Sequence, residues 1–196
     1  MQVYKAPLND MKFLFQHFLR DEGFDVIFEN TDIEISDLDL ILDQAAQFCE
    51  EELLPINQIG DSEGCKIKNG KVITPNGFKD AYKEFVANGW QSATLSKRYG
   101  GQGLPYVLGT FLDEIMSSSN MSFVNFPGLT ANAFAAIEKS ASDELKGLYL
   151  PKLATGEWSG TMNLTEPQCG TDLGLTRTMA IPRDDGSYEI SGTKIF

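Results

Sequence analysis

A single histidine, His17, and three cysteines, Cys49, Cys65 and Cys169, supply all the imidazole and thiol groups in 196 residues. Their spacing matches neither a zinc set nor a Cys/His nucleophile couple, so both chemistries are excluded. Basic residues are also few: 16 Lys and Arg stand against 28 Asp and Glu, for a net charge of −12 and a pI near 4.5. Nucleic acids and anionic membrane surfaces are poor partners for such a chain, because holding their phosphates takes clustered cations. No apolar run approaches the roughly 18 residues of a membrane span, and no Arg-rich leader precedes the acidic N-terminal region. With 42% hydrophobic and 22% charged residues, the expectation is a globular protein of a cytoplasmic, reducing compartment.

What is present is helical spacing as far as Leu153. Asn9 or Asp10 can cap a short helix with Met11, Leu14, Phe15, Phe18 and Leu19 on one face. Ser36 with Asp39 resembles a capping box before Leu38, Ile41, Leu42, Ala45, Cys49 and Leu53, and Pro55 is expected to end that helix. Residues 60–77 read as a loop or hairpin around Lys71-Val72-Ile73-Thr74. Tyr82, Phe85 and Val86 form a stripe that stops at Asn88-Gly89. Val107 to Met116 and then Phe123 to Lys139 predict two core helices, and Ser142 can cap another that carries Leu145, Leu148 and Tyr149.

The period then changes. Trp158, Gly160, Met162 and Leu164 alternate with polar residues as in a half-buried strand, which Glu166-Pro167 stops. Asp184-Asp185-Gly186 separates extended residues 175–181 from Tyr188-Glu189-Ile190 and from 193–196, a hairpin signal. Between them, Gly170-Thr171-Asp172-Leu173-Gly174 offers glycines, a hydroxyl and consecutive N–H groups of the kind that cradle phosphate oxygens. The plainer reading of Thr165 to Asp172 is a Pro-Gly turn closed by its own hydrogen bonds.

Thr165-Glu166-Pro167-Gln168-Cys169-Gly170-Thr171-Asp172 is similar to the flavin-binding signature of the acyl-CoA dehydrogenases. Three further segments fall in that family's order: Arg98 to Pro105, Tyr149-Leu150-Pro151, and Gly186 to Phe196. The opening Tyr4 to Leu8 resembles the added N-terminal segment of a larger bacterial branch that includes the methylmercaptopropionyl-CoA dehydrogenases. The resemblance implies a mainly α fold: an N-terminal extension with a short helix over 1–35, an N-terminal helical domain over 36–157, and over 158–196 the first strands of a truncated middle β-domain. It implies α,β-dehydrogenation of an acyl-CoA thioester to the trans-2-enoyl-CoA, with FAD as cofactor and an electron-transfer flavoprotein-like acceptor. A homodimer or homotetramer is implied for the full-length protein.

Carried over by position, Met162 and Leu164 would face the isoalloxazine, the Leu164 backbone would pair with its pyrimidine edge, and Thr165 would bond the ring system. Gly170 and Thr171 would meet the pyrophosphate, Thr171 would also face the acyl-CoA, and Phe196 would cover the flavin. Asn125 and Gly128 would line the acyl cavity. The chain departs from the pattern at Met162, where an aromatic is frequent, and at Phe196, where a Trp is common. The catalytic base is expected in a C-terminal domain outside these residues, so no catalytic residue is assigned and the chain alone is expected to be inactive. Glu166 reads as structural, Cys169 as a spectator thiol, His17 as packing, and Lys97-Arg98 as a solvated pair. The rival readings are an acyl-CoA oxidase and a non-enzymatic acyl-binding helical module.

Overall fold

The structure, a computed structural model, describes residues 3–19, 26, 28 and 33–196. It divides into two compact units, Met1–Gly160 and Thr161–Phe196.

The first unit is helical. Helix α1 (Leu8–Phe13) starts without a side-chain cap, because the Pro7 carbonyl accepts the N–H groups of both Asp10 and Met11 at 3.1 Å. A wider π-turn over Leu14–Phe18 follows and rotates later positions off the expected face. Met11 and Phe15 are buried, with Phe15 against Phe111 at 4.6 Å, whereas Leu14 and Phe18 face solvent. Helix α2 (Ile35–Phe48) begins earlier than Ser36-Asp39 suggests, with the Glu34 N–H donating to the Asp37 carboxylate at 2.9 Å. Leu38, Leu42 and Ala45 form its buried stripe.

Pro55 does not end this run. A π-turn over Cys49–Leu53 leads into α3 (Leu54–Glu63), which places Pro55 in a first turn, where a missing N–H costs nothing. Cys49 is buried there, and burial pushes its thiol up to about 12. The expected loop from Gly60 is shorter, because α3 persists to Glu63 before β1 (Lys66–Lys68) and β2 (Lys71–Ile73) pair. Asn69 and Gly70, at φ 53° and 72°, make the left-handed two-residue turn that such a hairpin favours. Helix α4 (Phe78–Ala87) ends at Asn88-Gly89 as its sequence indicates, with Gly89 at φ 79°.

Helix α5 (Tyr106–Ser140) contains both helices expected between 107 and 139, separated by a break at Asn120 (φ −157°, ψ 84°). Asn120 is buried. Its Oδ1 accepts the Phe123 N–H at 3.1 Å, capping the second half, and its Nδ2 donates to the Leu53 carbonyl at 3.0 Å. Helix α6 (Asp143–Ala154) has the expected Ser142 cap, which accepts the Leu145 N–H. Its buried side is Leu150, Leu153 and Ala154, while Leu145, Leu148 and Tyr149 lie on the outer side. The main core joins α1 to α5, with Phe85 stacking edge-on against Phe123 at 5.7 Å.

The second unit contains one hairpin, β3 (Met179–Pro182) with β4 (Tyr188–Ser191), in the register Ile181↔Glu189. Gly186 takes φ 81° in its turn, where the Asp185 carboxylate accepts the Ser187 N–H at 2.9 Å. Residues 158–165 do not form the strand that their alternation suggests, and 193–196 form none either. A ladder needs a neighbour, and among the described residues the one main-chain hydrogen bond between these two stretches runs from the Ile195 N–H to the Thr165 carbonyl at 2.9 Å.

Replacing Asn120 by Ala removes an internal cap and leaves a buried carbonyl unpaired, so it should cost about 2–4 kcal/mol. Urea unfolding checks this. Asn120→Asp, which keeps the capping oxygen and loses the donor to Leu53, should fall between Ala and the natural residue.

Candidate functional site

The proposed cofactor residues gather in the second unit around the buried carboxylate of Glu166, which is 3% exposed. Glu166 and Cys169 exchange both backbone hydrogen bonds, at 2.8 and 3.0 Å, closing a tight loop over Pro167-Gln168. The carboxylate accepts the Arg177 N–H at 2.8 Å, the Thr178 N–H at 3.1 Å, Gln168 Nε2 at 2.6 Å and Lys194 Nζ at 2.9 Å. The facing Thr178 hydroxyl, then the Arg177 N–H and the Lys194 ammonium, hold its carboxyl well below the usual carboxylate range. A group so placed is a poor proton acceptor and a strong tether.

That tether sets the turn. Lys194 Nζ also donates to the Leu164 carbonyl at 3.2 Å, so this oxygen is occupied within the unit. Thr165 is half-buried, with its carbonyl bonded to Ile195. Met162, Leu164 and Phe196 are exposed, Phe196 at 76%. Gly170 and Thr171 are exposed too, and beyond them the Asp172 carboxylate caps a 3₁₀ turn over Leu173–Leu175 by accepting the Gly174 N–H at 3.2 Å. The N–H groups of Gly170, Thr171 and Asp172 make no hydrogen bond among the described residues. A Cβ on Gly170 would meet only the Thr165 side chain, Cγ2 at 3.6 Å and Oγ1 at 4.0 Å, and its φ is not left-handed, so the unit's own packing does not require glycine there. Three consecutive free donors beside a residue without a side chain suit an anionic oxygen. Cys169 is buried, with Sγ 3.8 Å from the Thr176 hydroxyl.

Asn125 and Gly128 lie in the first unit, where they line a cavity of about 470 Å³ bounded by residues 90–96 and α5. That volume falls in the range of small-molecule sites. Phe85, Leu112, Met116 and Phe134 supply apolar wall, and a Cβ on Gly128 would meet nothing within 4 Å. Trp90 and Gln91 belong to the same lining, and Trp90 Nε1 and Gln91 Oε1 are buried without a partner among the described residues.

The glycines after Lys97-Arg98 have an internal explanation. Gly100 takes φ 92°, and a Cβ on Gly101 would lie 2.0 Å from the Leu95 carbonyl oxygen, so that turn is shaped by backbone packing. The Arg98 guanidinium sits over its neighbour Tyr99 at 5.2 Å. The His17 ring lies 4.9 Å from Phe13. Sequence reasoning did not find the partners of Glu166: Lys194 lies 28 residues away, and main-chain donors carry no residue-specific signal. Among the described residues no group of three or more His, Cys, Asp or Glu could hold a metal, and no helix is long and apolar enough to cross a membrane.

The sequence profile described as "Acyl-CoA dehydrogenase, N-terminal domain" matches residues 36–157. The chain is 46% identical over 194 residues to the 3-methylmercaptopropionyl-CoA dehydrogenase of Ruegeria pomeroyi, covering 99% of this chain and 33% of that protein. It is 40% identical over 166 residues to a butyryl-CoA dehydrogenase of Syntrophomonas wolfei, covering 83% of this chain and 27% of that protein. Among solved structures, butyryl-CoA dehydrogenase from Megasphaera elsdenii superposes with a TM-score of 0.69 at 25% identity, covering 85% of this chain and 42% of that one. An acyl-CoA dehydrogenase from Bacillus anthracis, solved in complex with FAD, gives a TM-score of 0.67 at 26% identity, covering 84% of this chain and 27% of that one. The chain belongs to the acyl-CoA dehydrogenase family, as an N-terminal portion. It spans about a third of the length of the Ruegeria relative.

Because the native Glu166 carboxyl is held below its unfolded value of about 4.3, it stabilises the folded unit fully above that pH. The contribution is lost as pH falls through the lowered native range. The amide proton shifts of Arg177 and Thr178 should therefore stay constant well below about pH 4. In Glu166→Gln both amides should lose protection from exchange at neutral pH, and the difference from the natural chain should shrink on acidification.

Proposed function

We propose that this chain supplies the acyl-binding and flavin-binding elements of an FAD-dependent enzyme that dehydrogenates an acyl-CoA thioester to the trans-2-enoyl-CoA. The observation that carries the reading is the row of unpaired N–H groups at Gly170, Thr171 and Asp172, beside a glycine that its own unit does not require. Gly170 and Thr171 would hold the pyrophosphate through these N–H groups, which answers how a chain of net charge −12 receives an anion. With its carbonyl bound to Lys194, Leu164 offers its N–H to the pyrimidine edge of the ring. Thr165 supplies a hydroxyl, and Met162 and Phe196 supply exposed apolar surface that would exclude water from the ring. When bound, the flavin supplies the acceptor for the β-hydrogen.

In the helical unit, the cavity beside Asn125 and Gly128 would take the acyl chain, and Thr171 would also contact the thioester ligand. The relatives' names support this substrate class, since each relative cited above is named for dehydrogenating an acyl-CoA. Glu166 is tethered and is not proposed as the base; the likeness to the family is what assigns α-proton removal to a residue outside these 196. The reading extends to an electron-transfer flavoprotein-like acceptor, a homodimer or homotetramer, a cytoplasmic setting, and a division at 1–35, 36–157 and 158–196. An oxidase would share every feature named here and differ in the access of oxygen to reduced flavin. A purely acyl-binding module would have no use for the Gly170–Asp172 donors.

In the full-length protein, Gly170→Val should weaken FAD binding at least tenfold, equivalent to about 1.4 kcal/mol, by placing a branched side chain against the phosphate. Thr171→Ser should be mild. Visible flavin absorbance per protein, together with FAD titration of the apoprotein, measures both. Full flavin content in Gly170→Val would show that the turn is not the cradle.

A further inference from the structure

On a chain of net charge −12, one face of the β1–β2 hairpin gathers positive charge. The register pairs Lys66 with Ile73, Ile67 with Val72 and Lys68 with Lys71, so the three lysines and Ile73 share one face while Ile67 and Val72 share the other. All six residues are exposed, Ile67 at 80% and Val72 at 68%. Lys68 stands directly opposite Lys71, an unfavourable pairing of like charges, and Lys66 follows two residues away on the same face. Elsewhere Lys5, Lys12, Lys83, Lys152 and Lys194 each meet a carboxylate, whereas the hairpin lysines have no ion-pair or hydrogen-bond partner among the described residues. Among the described residues this sheet has two strands, which leaves the outer edge of β1 unpaired.

We propose that the outer edge of β1 binds an extended segment of a partner protein in which acidic residues alternate with apolar ones, so that the segment adds a third strand to the hairpin. An added strand places its side chains alternately on the two faces already formed. Residues beside Lys66 and Lys68 would lie among ammonium groups, and the residue between them beside Ile67 and Val72, so the complement is acidic, apolar, acidic. The two-residue turn at Asn69-Gly70 makes Lys68 and Lys71 a hydrogen-bonded pair. Antiparallel alternation then turns the Ile67 N–H and carbonyl outward, where a strand would engage them. The β2 edge fits less well, because it carries one lysine where β1 carries two around an apolar residue. Lysines on an open edge also oppose pairing with basic or neutral strands, so the charge that attracts an acidic segment excludes others. A long polyanion would meet the repulsive field of the whole chain, whereas a short segment is held by contacts inside the screening length of about 10 Å.

The test uses the full-length protein and two fluorophore-labelled peptide amides, Glu-Val-Glu-Val-Glu and its isomer Glu-Glu-Glu-Val-Val, which has the same charge without the alternation. Anisotropy gives the Kd, and hydrogen exchange followed by mass spectrometry reports on β1. The alternating peptide should bind about tenfold or more tightly than the isomer and slow exchange in β1, and Lys66→Gln/Lys68→Gln should weaken it about tenfold or more. Both side chains are exposed, and circular dichroism verifies that the variant folds. Equal binding of the two peptides would overturn strand addition in favour of contact by charge alone. No binding of the alternating peptide would overturn the inference and leave the lysines as protection of an open edge. Undiminished binding by the double variant, or tighter binding of a single-stranded oligonucleotide than of the peptide, would overturn it as well.

Discussion

Backbone groups buried where regular structure breaks must find partners, and in each unit one polar side chain supplies them. Asn120 does this in the helical unit: it caps the second half of α5 and pairs with the Leu53 carbonyl at the end of a π-turn, so two irregularities are joined by one residue. Glu166 does it in the second unit, where two main-chain N–H groups and two side-chain donors converge on one carboxylate. Those bonds, with Gln168 Nε2 on the Leu175 carbonyl and Cys169 Sγ beside the Thr176 hydroxyl, fix the turn at Gly170 relative to β3. The exposed, unpaired donors of the turn are held open because a buried residue nearby is fully bonded.

Two kinds of information differ in how far the sequence carries them. Periodicity and caps are local, and they placed α4 with its Asn88-Gly89 stop, the Ser142 cap, both halves of α5 and the hairpin turn at Gly186. Register shifts are not local in this sense. The π-turns after α1 and α2 add a residue to a turn without changing residue types, which is why Phe18 faces solvent and why Pro55 opens a helix segment. The alternation from Trp158 to Leu164 was legible, but a strand also requires a neighbouring strand, and none of the described residues supplies one.

Glycine spacing in the sequence treats residues alike that the structure separates. Gly100 and Gly101 sit within an Arg-Tyr-Gly-Gly run that could be mistaken for a ligand loop, yet the φ of one and the contact of the other with the Leu95 carbonyl account for both. Gly170 and Gly128 lack any such internal reason. A Cβ on Gly128 would project into open space, and one on Gly170 would make only ordinary contact. Gly147 in α6 is as unconstrained, so freedom alone does not mark a site; at Gly170 it coincides with unpaired N–H groups and at Gly128 with a cavity, and these second features support the proposed roles.

The charge balance imposes a further constraint on any anionic ligand. A net charge of −12 makes the long-range field unfavourable for a dinucleotide, so recognition has to be short-ranged and directional. Backbone N–H groups meet that requirement, since their partial charges act over hydrogen-bond distance and are not screened once a phosphate displaces the water between them. The Lys194 ammonium cannot serve the same purpose, because Glu166 and the Leu164 carbonyl already engage it. With Lys194 engaged in holding the turn and no basic residue between Thr165 and Thr176, the proposed phosphate contact would fall to main-chain donors.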